Sequence, residues 1–126
     1  MAAAPAGRFP GLAPIEAYGN GGFRFAGMSH RGSIVCLPDA IEAWEVADVE
    51  TLTVAALDRV LARQDRIELL LVGTGDEHRP LPGDVRAALA ERGIGVDVMT
   101  TGAAARTWNI LIAEGRRVAA ALIATA

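Results

Sequence analysis

The chain has 126 residues and a formal net charge of -3, from 12 basic and 15 acidic residues. Scaling from mass gives roughly 19,000 Å² of accessible surface unfolded and about 6,400 Å² folded, enough for one ordinary core and too little for two independent domains. The mild acidity argues against an electrostatic nucleic-acid binder, the lack of an apolar run near ~18 residues against a membrane span, and the 52% apolar content against intrinsic disorder.

Much of the apolar content is small, with 25 alanines and six aromatics. All 12 basic residues are arginine. A chain without lysine has no P-loop lysine and no Schiff-base lysine. With one cysteine, Cys36, and two histidines, His30 and His78, it builds neither an internal disulfide nor a zinc cluster. A reducing cytoplasm is the expected location, with no cofactor. Residues 1–14 are rich in Ala, Pro and Gly and lack the charged start and apolar run of a secretory signal. They are expected to be a disordered tail, leaving 15–126 as the folded domain.

In chain order, Phe23 and Phe25 alternate with Arg24 and Ala26, which predicts a strand over 22–28. Residues 29–32 are polar and end in glycine, so they read as a turn into a β-rich run over 33–37, the two strands forming a hairpin. Residues 41–46 extend the sheet, with Trp44 and Val46 inward. Thr53 is placed to cap a helix running to about Gln64, with Val54, Leu57, Val60 and Leu61 on its apolar face. Residues 67–72 are continuously apolar, as in a parallel strand buried on both faces. Pro82 opens a second helix with Val85, Ala88 and Leu89 inward, and Gly93 closes it. Residues 95–99 form a strand. Thr101 caps a third helix to about Glu114 with Ala104, Trp108, Leu111 and Ile112 inward, and 118–123 is a last buried strand. The alternation predicts a three-layer α/β domain in which 67–72 and 95–99 are parallel neighbours.

The residues with most chemical promise follow those two strands. Gly73-Thr74-Gly75-Asp76 leaves a buried strand at its carboxyl end, where open α/β sheets bind ligands. A third fingerprint glycine is missing, and no helix starts at the distance a dinucleotide site needs. Thr100-Thr101 opens the third helix, whose N-terminus suits an anion or a carbonyl oxygen. Asn109, near the apolar stripe of that helix, needs partners if buried and is expected to order the same cleft. Simple strand exit, helix capping and structural satisfaction explain the same residues. No nucleophile elbow surrounds Ser29 or Ser33, and Cys36 in a strand reads as a small buried residue. No catalytic or metal set assembles from the spacing.

Together, Val72-Gly73-Thr74-Gly75-Asp76, the run from Arg92 through Met99 to Thr101, Ala104 to Leu111, Glu114-Gly115-Arg116 and Ala119 to Ile123 resemble the Mth938-like family, catalogued as DUF498. Gly22-Phe23-Arg24-Phe25 and the stretch from Leu37 to Trp44 also fit, so the resemblance covers about 15–124. It implies a single three-layer domain with a mixed central sheet, flanking helices and an N-terminal β-hairpin region. Eukaryotic members of the family include a mitochondrial assembly factor for respiratory complex I and a cytosolic protein linked to adipocyte differentiation. Gly102 departs from the pattern, standing where proline commonly follows the threonine, and Trp108 stands where tyrosine or phenylalanine is commoner.

The resemblance and the missing catalytic set favour a non-catalytic assembly or protein-interaction factor for a respiratory or other membrane complex. Its partner would be a protein, with no nucleic acid and no membrane span, in a bacterial cytoplasm. The alternative is a small-molecule or anion binder, or an enzyme, using 73–76, 100–101 and Asn109. The hairpin edge with Phe23 and Phe25 allows pairing with a second copy, and a monomer with a covered edge is equally allowed.

Overall fold

The computed structural model describes residues 8–126. In chain order these form β1 (Arg8–Pro10), β2 (Ile15–Gly19), β3 (Gly22–Phe25), β4 (Met28–Arg31), β5 (Ser33–Cys36), β6 (Ala40–Trp44), α1 (Asp58–Leu61), β7 (Leu69–Gly73), α2 (Gly83–Glu91), β8 (Gly95–Met99), α3 (Thr101–Ala113) and β9 (Val118–Leu122), with short 3₁₀ turns around α1. One mixed sheet has the strand order β1-β6-β5-β9-β7-β8, and β2, β3 and β4 make a second sheet. β7 is parallel to both β8 and β9, as expected for a strand buried on both sides. β5 joins antiparallel to β9 and to β6.

The path of the chain dictates the layers. From β7 to β8 it steps outward in the sheet, and from β8 to β9 it steps back across β7. Two right-handed crossovers running in opposite directions put their helices on opposite faces. Val85 and Leu89 of α2 accordingly pack with Leu70, Val72, Ala119, Ala121, Val35 and Leu37. Ala104 and Trp108 of α3 pack with Leu71, Ala120, Leu122, Ile34 and Cys36, together with Phe23 and Phe25 of the small sheet. Neighbouring residues of each central strand thus serve opposite cores, the two-residue period of a strand covered on both faces. The alanines of β9 have a structural use here. Cys36, Ala120 and Leu71 lie side by side in register, and the two small residues leave space in the core that holds the wholly buried indole of Trp108.

Four local expectations change. The partner of Gly22–Phe25 is Met28–Arg31, not 33–37, so the expected turn over 29–32 is a strand. Its turn is Ala26-Gly27, at φ of 50° and 73°. Asn20-Gly21, at 53° and 77°, joins β2 to β3 in the same way. Both are paired positive-φ turns, whose twist matches that of the flanking strands. Phe23 and Phe25 stand on β3, the middle strand of the small sheet, which is paired on both sides and so forms no edge. Within the stretch 1–14 expected as a tail, Arg8–Pro10 pairs with β6 as an edge strand, while residues 1–7 lie outside the described residues. Thr53 does accept from the Ala56 N–H at 3.2 Å. The helix after it is nevertheless broken into α1 and 3₁₀ turns at Ala55–Leu57 and Gln64–Arg66. A continuous helix would offer the Ala56 carbonyl to the N–H of Val60. The Trp44 indole Nε1 donates to that carbonyl at 2.9 Å instead.

This irregular segment is tied to the sheet by arginines. Arg63 grips Asp39 with Nε on Oδ1 at 2.6 Å and Nη2 on Oδ2 at 3.3 Å. Arg59 reaches Glu42, Glu45 and the Ala43 carbonyl. The hydrogen bonds from Arg63 hold the Asp39 carboxyl below its ordinary value of 3.8. A lowered acid pKa stabilises the fold above the unfolded value, and this is lost as pH falls through the folded value. Asp39→Asn should therefore cost stability at neutral pH, on the order of 1 kcal/mol for a partly exposed pair. It should also flatten the fall in stability below about pH 4, where Asp39 titrates when unfolded. Urea melts of both proteins from pH 7 to pH 3 check this. Parallel pH profiles would count against it.

Candidate functional site

β7 ends at Gly73, between the ends of β8 and β9. A side chain there has no room: a Cβ on Gly73 would lie 2.8 Å from Thr101 Cα and 3.1 Å from a Leu122 methyl. Glycine is needed at this position for close approach, as α3 starts directly against the strand end.

The hydroxyl of Thr101, wholly buried, holds the junction together. It donates to the Ile123 carbonyl at 2.7 Å and accepts from the Gly75 N–H at 2.9 Å. The Thr101 N–H donates to the Gly75 carbonyl at 3.0 Å, the Ile123 N–H to the Gly73 carbonyl at 3.0 Å, and the Thr74 N–H to the Met99 carbonyl at 2.9 Å. Thr74 turns its own hydroxyl to the Glu77 carbonyl at 2.5 Å and accepts from the Arg79 N–H at 3.2 Å. Asp76 is exposed and accepts from the Ala126 N–H at 3.2 Å through Oδ2.

Six of the seven expected residues therefore meet: Gly73, Thr74, Gly75, Asp76, Thr100 and Thr101. Their roles differ from the expected ones in one respect. Thr100, not Thr101, is the cap of α3, its hydroxyl accepting from the Ala103 N–H at 3.5 Å. Thr101 is already in the first helical turn and faces the sheet. Asn109 stands apart. Eight residues along α3 displace it by about 12 Å. There it accepts from the Ile15 N–H at 2.7 Å and donates to the Ile15 carbonyl at 2.9 Å. Beside it Trp108 Nε1 donates to the Ala13 carbonyl at 3.0 Å. The Trp108-Asn109 pair thus straps the start of β2 along α3.

Next to the junction a cavity of about 100 Å³ opens between Tyr18, Asp76, Thr100, Gly102, Arg106 and Thr125. Tyr18 is the member that sequence reasoning missed. Its hydroxyl rests where a Cβ on residue 102 would be, so the glycine at that position makes room for the tyrosine ring. The signal for this placement was Asn20-Gly21, which sets β2 as a hairpin strand and brings Tyr18 over the helix. The space is about three water volumes, and Asp76 and Arg106 supply its opposite charges. Among the described residues no group of three His, Cys, Asp or Glu is placed to hold a metal ion. Cys36 is fully buried, and the loss of hydration pushes its thiol far above the ordinary range, so it remains a neutral core group.

The family model described as protein of unknown function (DUF498/DUF598) matches residues 15–123. The chain belongs to the DUF498 family. A crystal structure of an outer membrane protein from Bartonella henselae superposes with a TM-score of 0.90 at 53% identity, over 94% of this chain and 99% of that one. The solution structure of a Mth938-like domain from Bordetella pertussis gives 0.76 at 29% identity, over 98% and 91%. The NADH dehydrogenase [ubiquinone] 1 alpha subcomplex assembly factor 3 of Mus musculus is 36% identical over 91% of this chain. The match takes in 62% of that relative, so the chain spans about three-fifths of its length. The Mth938-like domain expected from the sequence is the fold observed, with a mixed sheet between layers.

Replacing Thr101 with valine keeps the shape and removes both hydroxyl hydrogen bonds. It leaves a buried N–H at Gly75 without its acceptor and should cost about 2–3 kcal/mol. Thr100→Ala, losing only a long capping bond, should cost less than about 1 kcal/mol. Denaturant melts of the two variants test this order, and an equal loss in both would refute the central place given to Thr101.

Proposed function

We propose that this chain is a protein-interaction factor in the assembly of a respiratory NADH dehydrogenase or a related membrane complex, acting from the cytoplasmic side without catalysis. The observation that carries this reading is the match to the mouse assembly factor at 36% identity over 91% of the chain. The geometry supports it. The polar groups at the carboxyl end of β7 are spent on each other: Thr101 on Gly75 and Ile123, Thr74 on Glu77 and Arg79. They serve to fasten three elements, which leaves the outer surface for recognition. Among the described residues no helix is long and apolar enough to cross a membrane. Contact with a membrane complex would then run through its protein subunits.

A second reading rests on the cavity at the start of α3, lined by Thr100, Gly102 and Arg106 and also by Asp76, which is opposite in charge to Arg106. A small anion would find a helix N-terminus and a guanidinium there. Phosphate or a small carboxylate would then raise the melting temperature of the chain, and Arg106→Ala would abolish the rise.

The decisive test is made in the native host. Affinity purification of the tagged chain at native expression level should enrich subunits of the NADH dehydrogenase or its insertion factors. Deletion of the gene should lower the amount of assembled dehydrogenase on native gels. Enrichment of neither class, with normal enzyme assembly in the deletion strain, would overturn the assembly reading.

A further inference from the structure

The large apolar side chains left exposed among the described residues are Leu12, Tyr18 and Ile110, with Ile110 at 58% exposure. They are spread along α3: Tyr18 lies over its first turn at Gly102, Leu12 lines a cavity at its far end with Ile112 and Arg116, and Ile110 stands on the helix between them. Ile110 projects from α3 on the face away from the sheet. On this face it is preceded by Arg106 and followed by Glu114, four residues to either side and both exposed. Neither charge has an ion-pair partner among the described residues, although many of the other charged groups do.

This spacing is self-complementary. Suppose two copies of α3 cross antiparallel with Ile110 on the two-fold axis. Each Ile110 then meets its own counterpart. A residue four places before the axis on one helix faces a residue four places after it on the other, about 6 Å along the helix in each direction. Arg106 of one copy meets Glu114 of the other, and symmetry repeats the pair on the far side. A parallel crossing would set Arg106 against Arg106 and is disfavoured by like charge.

We infer that the outer face of α3 is an isologous dimer interface, in which Ile110 packs on Ile110 of a second copy between two Arg106–Glu114 pairs. Two helices of this length with their flanks bury on the order of 1,000 Å², the low end for a specific interface. The dimer is therefore concentration-dependent, and the exposed ion pairs make it weaker at high salt.

Sedimentation equilibrium of the full chain, from micromolar to near-millimolar, reads the association. The weight-average mass should rise from the 13.1 kDa of the monomer toward twice that value. Ile110→Asp should hold the chain at the monomer mass throughout. Arg106→Glu and Glu114→Arg should each weaken association about tenfold, and the double exchange should recover most of the loss. Ile110→Cys should give a disulfide-linked dimer on mild oxidation, since the axis sets this residue against itself while Cys36 stays buried. All three positions are exposed, and circular dichroism melts confirm that the variants fold. A chain that remains monomeric throughout, a dimer that survives Ile110→Asp, or a double exchange that recovers nothing would each overturn the inference. A monomer that still captures its dehydrogenase partner would overturn the dimer and leave the assembly role standing.

Discussion

One buried hydroxyl sets the geometry of this fold. Thr101 is the first residue of α3, yet its side chain bonds to the exits of β7 and β9 rather than to its own helix. The start of the helix, the end of one parallel strand and the end of the next are thereby fixed to a single atom. The arrangement needs Gly73, because the helix backbone comes too close to the strand for any side chain. It also needs Thr100 as the cap, since the Thr101 hydroxyl is committed elsewhere. Burying a hydroxyl is costly without partners, and here both its donor and its acceptor capacity are used.

From that anchor the rest of one face is positioned. α3 leaves the junction across the sheet, and the small residues Cys36 and Ala120 beneath it give Trp108 its place in the core. Trp108 and Asn109 then use their polar atoms on the backbone at Ala13 and Ile15, a strap about two helical turns from the anchor. The strap holds β2, and two positive-φ turns fold β3 and β4 back beside it. Tyr18 is carried over the first turn of α3 as a result. The three-stranded sheet thus depends on the helix for its position more than on the large sheet.

Much of this was legible in the amino-acid order. Period-two and continuous apolar runs located β7, β8 and β9, and with them the three layers, because a strand between two cores has little freedom in composition. The inward stripe of α3 was legible for the same reason. The places that read wrongly have specific causes. The turn over 29–32 was inferred from polarity, but polar residues also suit the solvent face of a small sheet, and the stronger sign, Asn20-Gly21, lay upstream. The helix from Thr53 was inferred from a sound cap and a sound stripe, and it was broken by an indole 12 residues earlier in the chain competing for one carbonyl. Asn109 was correctly marked as needing partners, while their identity depended on which strand crosses the helix. Long-range pairing of this kind has no local signature.

The site residues make a more general point. Glycines, threonines and an aspartate at the end of a parallel strand are the usual marks of a ligand site, since backbone N–H groups and helix dipoles converge there. In this chain the same groups converge on each other. The Gly75 N–H, which would serve a ligand oxygen, serves Thr101, and the Thr74 hydroxyl serves its own loop. With the thiol buried and the polar groups of the junction bonded to each other, the dimer proposed above rests on side chains that carry no motif. On the outer face of α3 these are an isoleucine and two charges at helical spacing. They carry no signal in the sequence, because the apolar period of a helix marks its buried stripe and not its outer face. An apolar side chain off the stripe, whose flanking charges have no ion-pair partner among the described residues, is the kind of surface a second copy of the chain can cover.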